Sequence, residues 1–89
     1  MYLHIGQGTV IKTEDIVGIF DLDTSTVSKH TRKYLSKAEK EKKVINVTDD
    51  LPKSFVVVSK KRKDEKVYIS QISSTTLQKR NNAQNIIEI

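Results

Sequence analysis

The chain has no cysteine. A disulfide is therefore excluded, and so is a thiol nucleophile. It has two histidines, His4 and His30. Neither stands in a Ser/His/Asp order or at a His/Glu metal-ligand spacing, and no paired-carboxylate cleft can be argued, so the chain reads as a non-enzyme without metal or cofactor. His4, on a short strand, reads as a core or interface residue. His30, beside the core face of a helix, reads as structural. The five aromatics (Tyr2, Phe20, Tyr34, Phe55, Tyr68) fall mostly at expected core or strand positions. No RNP-like aromatic motif for stacking single-stranded RNA appears, and no helix–turn–helix pattern. Nor is there a signal-peptide pattern or a long apolar run, which predicts a soluble cytoplasmic protein with no membrane segment. No repeat or low-complexity linker interrupts the 89 residues, so one domain over 1–89 is expected.

What is present is a thin core and a segregated charge. Hydrophobic residues make up 36% of the chain. A domain of this size buries roughly 60–65% of its unfolded surface. Without disulfides, that predicts modest stability or help from self-association. The formal net charge is +5, from 16 basic and 11 acidic residues. Residues 1–28 hold Lys12 against Glu14, Asp15, Asp21 and Asp23, whereas 29–43 hold seven basic groups against Glu39 and Glu41. Residues 60–66 hold five more against Asp64 and Glu65. An acidic edge and a basic edge on one small domain can steer a partner, or let copies stack head to tail.

The most apolar stretch runs from Asp15 to Asp23. Ile16, Val17, Ile19, Phe20 and Leu22 predict a strand buried on much of both faces, the spine of a sheet. Gly18 in its middle predicts a bend, a bulge or a close approach. Before it, Tyr2–Ile5 and Thr9–Lys12 read as strands joined at Gly6-Gln7-Gly8. That Gly-x-Gly opens a strand, not a helix, so it is read as a hairpin turn rather than a phosphate loop. After the spine, Asp23 has the character of a helix N-cap, with Leu22 and Val27 at staple spacing. The helix is expected to run to about Lys42, with Val27, Thr31, Tyr34, Leu35 and Ala38 on its core face. Its other side, carrying Lys29, Arg32, Lys33, Ser36, Lys37 and Lys40, is either a solvated face or a phosphate or partner surface.

Val44–Thr48 is the next expected strand, and Asp49, Asp50, Leu51 and Pro52 form a turn, not a metal site. Phe55–Val58 and Val67–Ile72 flank the charged run Lys60–Lys66, an antiparallel hairpin with a basic tip. Four consecutive cations there, Lys60, Lys61, Arg62 and Lys63, make an electrostatic finger, or only a soluble loop that discourages edge aggregation. Ser73 caps a second, short helix to about Asn81, with Ile72 and Leu77 at staple spacing. Ile86, Ile87 and Ile89 are expected to dock on the sheet or on a neighbouring copy. The sum is an α+β fold: a small, curved, mostly antiparallel sheet with one longer helix and a short C-terminal helix.

The opening run Tyr2–Gly6, then Val10, then Asp15–Asp21, resembles the extracellular matrix regulator (RemA/RemB) family of Gram-positive bacteria, and its RemB-like members in particular. Pro52-Lys53-Ser54 before a valine-rich strand, and Ile72–Arg80, match the family's later landmarks. The resemblance spans residues 2–80. It implies a LytTR-like fold and a small cytoplasmic DNA-binding protein that regulates biofilm matrix and osmoprotection genes. It further implies assembly into a closed ring that presents basic residues to double-stranded DNA. Two positions depart from the pattern. Glu14 stands where the family carries an arginine, and Leu51-Pro52 where RemA-like members carry paired arginines. Each lost charge-assisted phosphate contact removes about 1 kcal/mol or more. Phosphate contacts are therefore expected at Lys53, Lys60, Lys61, Arg62, Lys63 and Lys12. The alternative is an assembly module that partners a DNA-binding RemA-type relative without binding DNA.

Overall fold

The computed structural model describes residues 1–22, 28–61 and 63–87, without the side chains of Lys63 and of 83–87. In chain order it holds β1 (Tyr2–Gly6), β2 (Thr9–Lys12), a single 3-10 turn (Thr13–Asp15), β3 (Ile16–Asp21), α1 (Lys29–Lys40), β4 (Val44–Asn46), β5 (Ser54–Lys60), β6 (Lys63–Ser70) and α2 (Ser74–Ile87). The fold is α+β, as its pattern predicts. β1 and β2 form a two-stranded antiparallel sheet. The other four strands lie in the order β3-β5-β6-β4, antiparallel except for the β4–β6 pair.

β5 is the spine, and this corrects the expectation for Asp15–Asp23. Ser54 to Val58 are all buried. Alternation sends Val56 and Val58 to one face of the sheet and Phe55 and Val57 to the other. On the first face they meet Leu3, Ile5 and Ile11 from the β1–β2 hairpin and Leu77 from α2. On the second they meet Val67 and Ala38, with Tyr34 and Leu35 of α1 packed against them. The domain thus has three layers: α1, the four-stranded sheet, and the small hairpin with α2. Four consecutive apolar residues, Phe55 to Val58, suit a strand covered on both sides.

Among the described residues β3 instead forms an edge, paired only with β5. Val17 is 67% exposed and Phe20 41% exposed. Gly18 sits at a register shift, a bulge. Phe20 curls back over Gly18, so that an added Cβ would lie 2.5 Å from its Cζ. The same ring stacks on Phe55 with centroids 5.0 Å apart. Ile16 and Ile19 are partly buried against the core on one face of the sheet, while Val17 and Phe20 stay exposed, so the apolar run in β3 is covered only in part.

The first turn is as expected. Gln7 and Gly8 take φ values of 43° and 78°, the left-handed pair that a two-residue hairpin loop requires. The core face of α1 is also as expected, with Ala38 buried and Thr31, Tyr34 and Leu35 half-buried. The cap at Asp23 and its staple partner Val27 lie outside the described residues. α2 begins after Ser73, whose Oγ accepts from the amide of Thr76 at 3.2 Å. The helix continues to Ile87, past the expected end at Asn81. His4 is exposed, which overturns its reading as a core residue; its carbonyl accepts from Arg80 Nη1 at 3.3 Å. The expected docking of Ile86, Ile87 and Ile89 rests on side chains outside the described set.

A candidate polyanion surface

The β5–β6 register runs from Ser54↔Ser70 to Lys60↔Lys63. It carries Lys60 and Lys61, both exposed, to the far end of the sheet. Lys61 turns the chain with a φ of 50°. Lys63 stands opposite Lys60 by backbone pairing, and Arg62 lies outside the described residues. Lys12, exposed at the end of β2, reaches the same end of the molecule from the other sheet. Between the two hairpins lies a hollow of about 600 Å³, and Lys12 and Lys60 both line it. Its apolar lining comes from Tyr2, Val10, Ile11, Val58 and Tyr68.

Three further lysines line the hollow: Lys42, Lys43 and Lys66. Nothing in the sequence pattern places the first two there, because their route is set by the backbone geometry at the end of α1. α1 ends in a Schellman arrangement. The amide of Lys43 donates to the carbonyl of Ala38 at 2.9 Å, and that of Lys42 to Glu39 at 3.0 Å. Lys42 occupies the left-handed position with a φ of 60°. That reversal turns Lys42 and Lys43 back toward the hairpins. Asp15, Asp64 and Glu65 also border the hollow, so cations there outnumber carboxylates by five to three. Lys43 lies 3.9 Å from Glu41. Tyr34 donates its hydroxyl to Glu65, tying α1 to β6. Burial pushes the Tyr34 pKa up, and the hydrogen bond to Glu65 and its negative charge push it the same way.

Lys53 is not part of this group. It precedes β5 at the opposite end, its amide donating to Ser70 and its carbonyl accepting from Leu22. Seven strand residues separate it from the tip, roughly 23 Å at 3.3 Å per residue. Glu14 is exposed and Leu51 is 81% exposed. Neither position therefore offers a cation: one holds an exposed acid and the other an exposed apolar side chain.

A second basic feature lies on α1. Lys29, Arg32, Lys33, Ser36, Lys37 and Lys40 line a shallow groove of about 390 Å³ along the helix. Lys29–Lys33 and Lys33–Lys37 have i,i+4 spacing, and Lys29–Arg32 and Lys37–Lys40 have i,i+3 spacing. Like charges so placed each destabilise a helix by about 0.2–0.5 kcal/mol. None of the five cations pairs with a carboxylate among the described residues.

No group of three or more His, Asp or Glu side chains among the described residues could hold a metal ion. No described helix is long and apolar enough to cross a membrane. Fold and surface together define a small α+β domain whose most distinctive feature is clustered positive charge. Residues 2–80 match the RemA-like family, described as extracellular matrix regulatory protein A-like, and the chain belongs to that family. It is similar to extracellular matrix regulatory protein B of Bacillus subtilis (strain 168), with 39% identity over 89 residues that cover 100% of this chain and 98% of that protein. It is a RemB-like member of an extracellular matrix regulator family.

Proposed function

We propose that the protein is a non-enzymatic, DNA-associated regulator of transcription of the RemA/RemB type, acting on matrix genes as a ring-shaped homo-oligomer. The observation that carries the reading is the meeting of Lys12 and Lys60 with Lys42, Lys43 and Lys66 around one hollow. One copy offers few phosphate contacts beside three carboxylates. Repetition around an assembly multiplies weak contacts into useful affinity. The exposed apolar residues Val17 and Phe20 on the open edge strand β3 support self-association. A gel-shift titration across salt tests the reading. With about four phosphates neutralised per engaged copy, log K against log salt has a slope near −3.6 per copy. Absence of binding at low salt, or a flat response, overturns it.

A second reading is favoured by Glu14 and Leu51. These exposed residues offer no cation where the family's arginines stand. On that reading the protein partners a DNA-binding RemA-type relative. Co-elution with such a relative, combined with failure to retain duplex DNA, distinguishes it from the first.

A further inference from the structure

We propose that the outer face of α1 is a second duplex-binding surface, separate from the lysine-lined hollow, which grips the phosphate backbone through Lys29, Arg32, Lys33, Lys37 and Lys40. This deepens the DNA-associated reading above and rests on it. α1 covers one face of the four-stranded sheet, whereas Val58 and Tyr68, which line the hollow, point to the other. The two basic surfaces therefore belong to different layers of the domain.

Geometry favours an extended polyanion. At 100° per residue, Lys29, Lys33, Ser36 and Lys40 fall within one narrow stripe, with Arg32 and Lys37 on its flanks. The stripe is roughly 16 Å long at 1.5 Å per residue. Duplex DNA carries a charge about every 1.7 Å of its axis, so a duplex laid along the stripe presents more phosphates than the stripe has cations. The groove has no acidic lining residue, unlike the hollow. Among the described residues, carboxylates approach this face only at its edge, where Lys37 shares a neighbouring cleft with Glu41 and Glu65. Along the stripe, neighbouring cations repel one another, and a polyanion relieves that repulsion. An anionic bilayer fits less well. A surface-lying helix embeds an apolar face, and the apolar side of α1, Tyr34, Leu35 and Ala38, is packed in the core.

The test uses the full chain and a fluorescent random-sequence duplex, with anisotropy read across a potassium chloride series. Two double variants are compared with the unaltered protein: Lys33→Gln with Lys37→Gln on α1, and Lys12→Gln with Lys60→Gln at the hollow. All four side chains are exposed, and unchanged circular dichroism confirms folding. The α1 variant is expected to lower the salt slope by about 1.8, at about 0.9 per phosphate contact removed. An unchanged slope in the α1 variant with a reduced slope in the hollow variant overturns this inference and leaves the hollow standing. The converse removes the hollow and keeps α1. No binding by the unaltered protein overturns both. Co-sedimentation with vesicles containing anionic phospholipid is the second arm. If the α1 variant loses vesicle binding while keeping its DNA slope, the face is a membrane surface and the proposal fails.

Discussion

Lys42 adopts a conformation that glycine usually supplies. Its φ of 60° closes the Schellman turn of α1 and delivers its side chain to the hollow. A side chain in the left-handed region costs about 1–2 kcal/mol. Lys42→Gly is accordingly expected to raise stability by about 0.5–1 kcal/mol, the unfolded-state entropy of glycine offsetting part of the relief. It should also lower the salt slope of DNA binding by about 0.9. Thermal denaturation and the anisotropy series read the two effects separately. Ser70 illustrates the opposite case. It is fully buried, its Oγ donating to the carbonyl of Ile5 at 2.7 Å and accepting from the amide of Ile72 at 3.0 Å. It thereby ties β6 to the small hairpin and to the entry of α2. Ser70→Ala leaves both backbone groups unpaired and is expected to cost about 1–3 kcal/mol, seen as a lower denaturant midpoint with an unchanged m-value. Tyr34 adds a pH dependence. Its pKa lies above its ordinary value of 10.0, raised first by burial and then by Glu65. The folded state holds the phenol proton more tightly than the unfolded chain does. The contribution is therefore complete below pH 10 and declines as pH rises through the folded pKa. Unfolding titrations above pH 10 should fall less steeply for Tyr34→Phe than for the unaltered chain.

At the scale of the element, α1 stands out as a helix held in place by its inner face while its outer face opposes it. Tyr34, Leu35 and Ala38 are modest apolar anchors. Lys33 faces Lys29 and Lys37 at repulsive spacing on the other side. Lys33→Glu turns both repulsions into attractions and is expected to stabilise the domain by about 1 kcal/mol, a rise in Tm of about 4–8 °C for a chain of this size. The same change should weaken DNA binding. A helix face whose charge pattern costs stability while favouring a polyanion is what a functional surface, rather than a merely solvated one, should show. Strand β5 makes a complementary point. Its residues Phe55 to Val58 read in sequence only as a short β-forming run. They became the centre because β3 and β6 both pair with it and because layers cover it from both sides.

At the scale of the whole molecule, β3 and β4 are the outer strands of the four-stranded sheet. β3 presents Val17 at 67% exposure and Phe20 at 41%, beside Asp15 and Glu14. Edge strands of this kind pair or assemble unless they are blunted. If copies meet along β3, Val17→Lys should reduce the solution mass measured by light scattering, while circular dichroism stays unchanged because the side chain is outside the core. An unaltered protein that remains monomeric at tens of micromolar would remove the avidity mechanism altogether.

The residue pattern alone determined the α+β class, the first hairpin, the core face of α1 and the Ser73 cap. Each depends on neighbours within a few positions: a two-residue turn, a 3.6-residue period, a hydroxyl before a helix. It also carried the family likeness, through short motifs in a fixed order. Tertiary structure alone decided which apolar strand is central, because β5 takes partners on both sides and cover on both faces whereas β3 pairs with β5 alone among the described strands. It decided too that Lys12 and Lys60 belong together while Lys53 stands apart, and that Lys42, Lys43 and Lys66 join them. Those groupings bring together residues far apart in the chain. They depend on strand register and on one left-handed turn, which local periodicity does not encode.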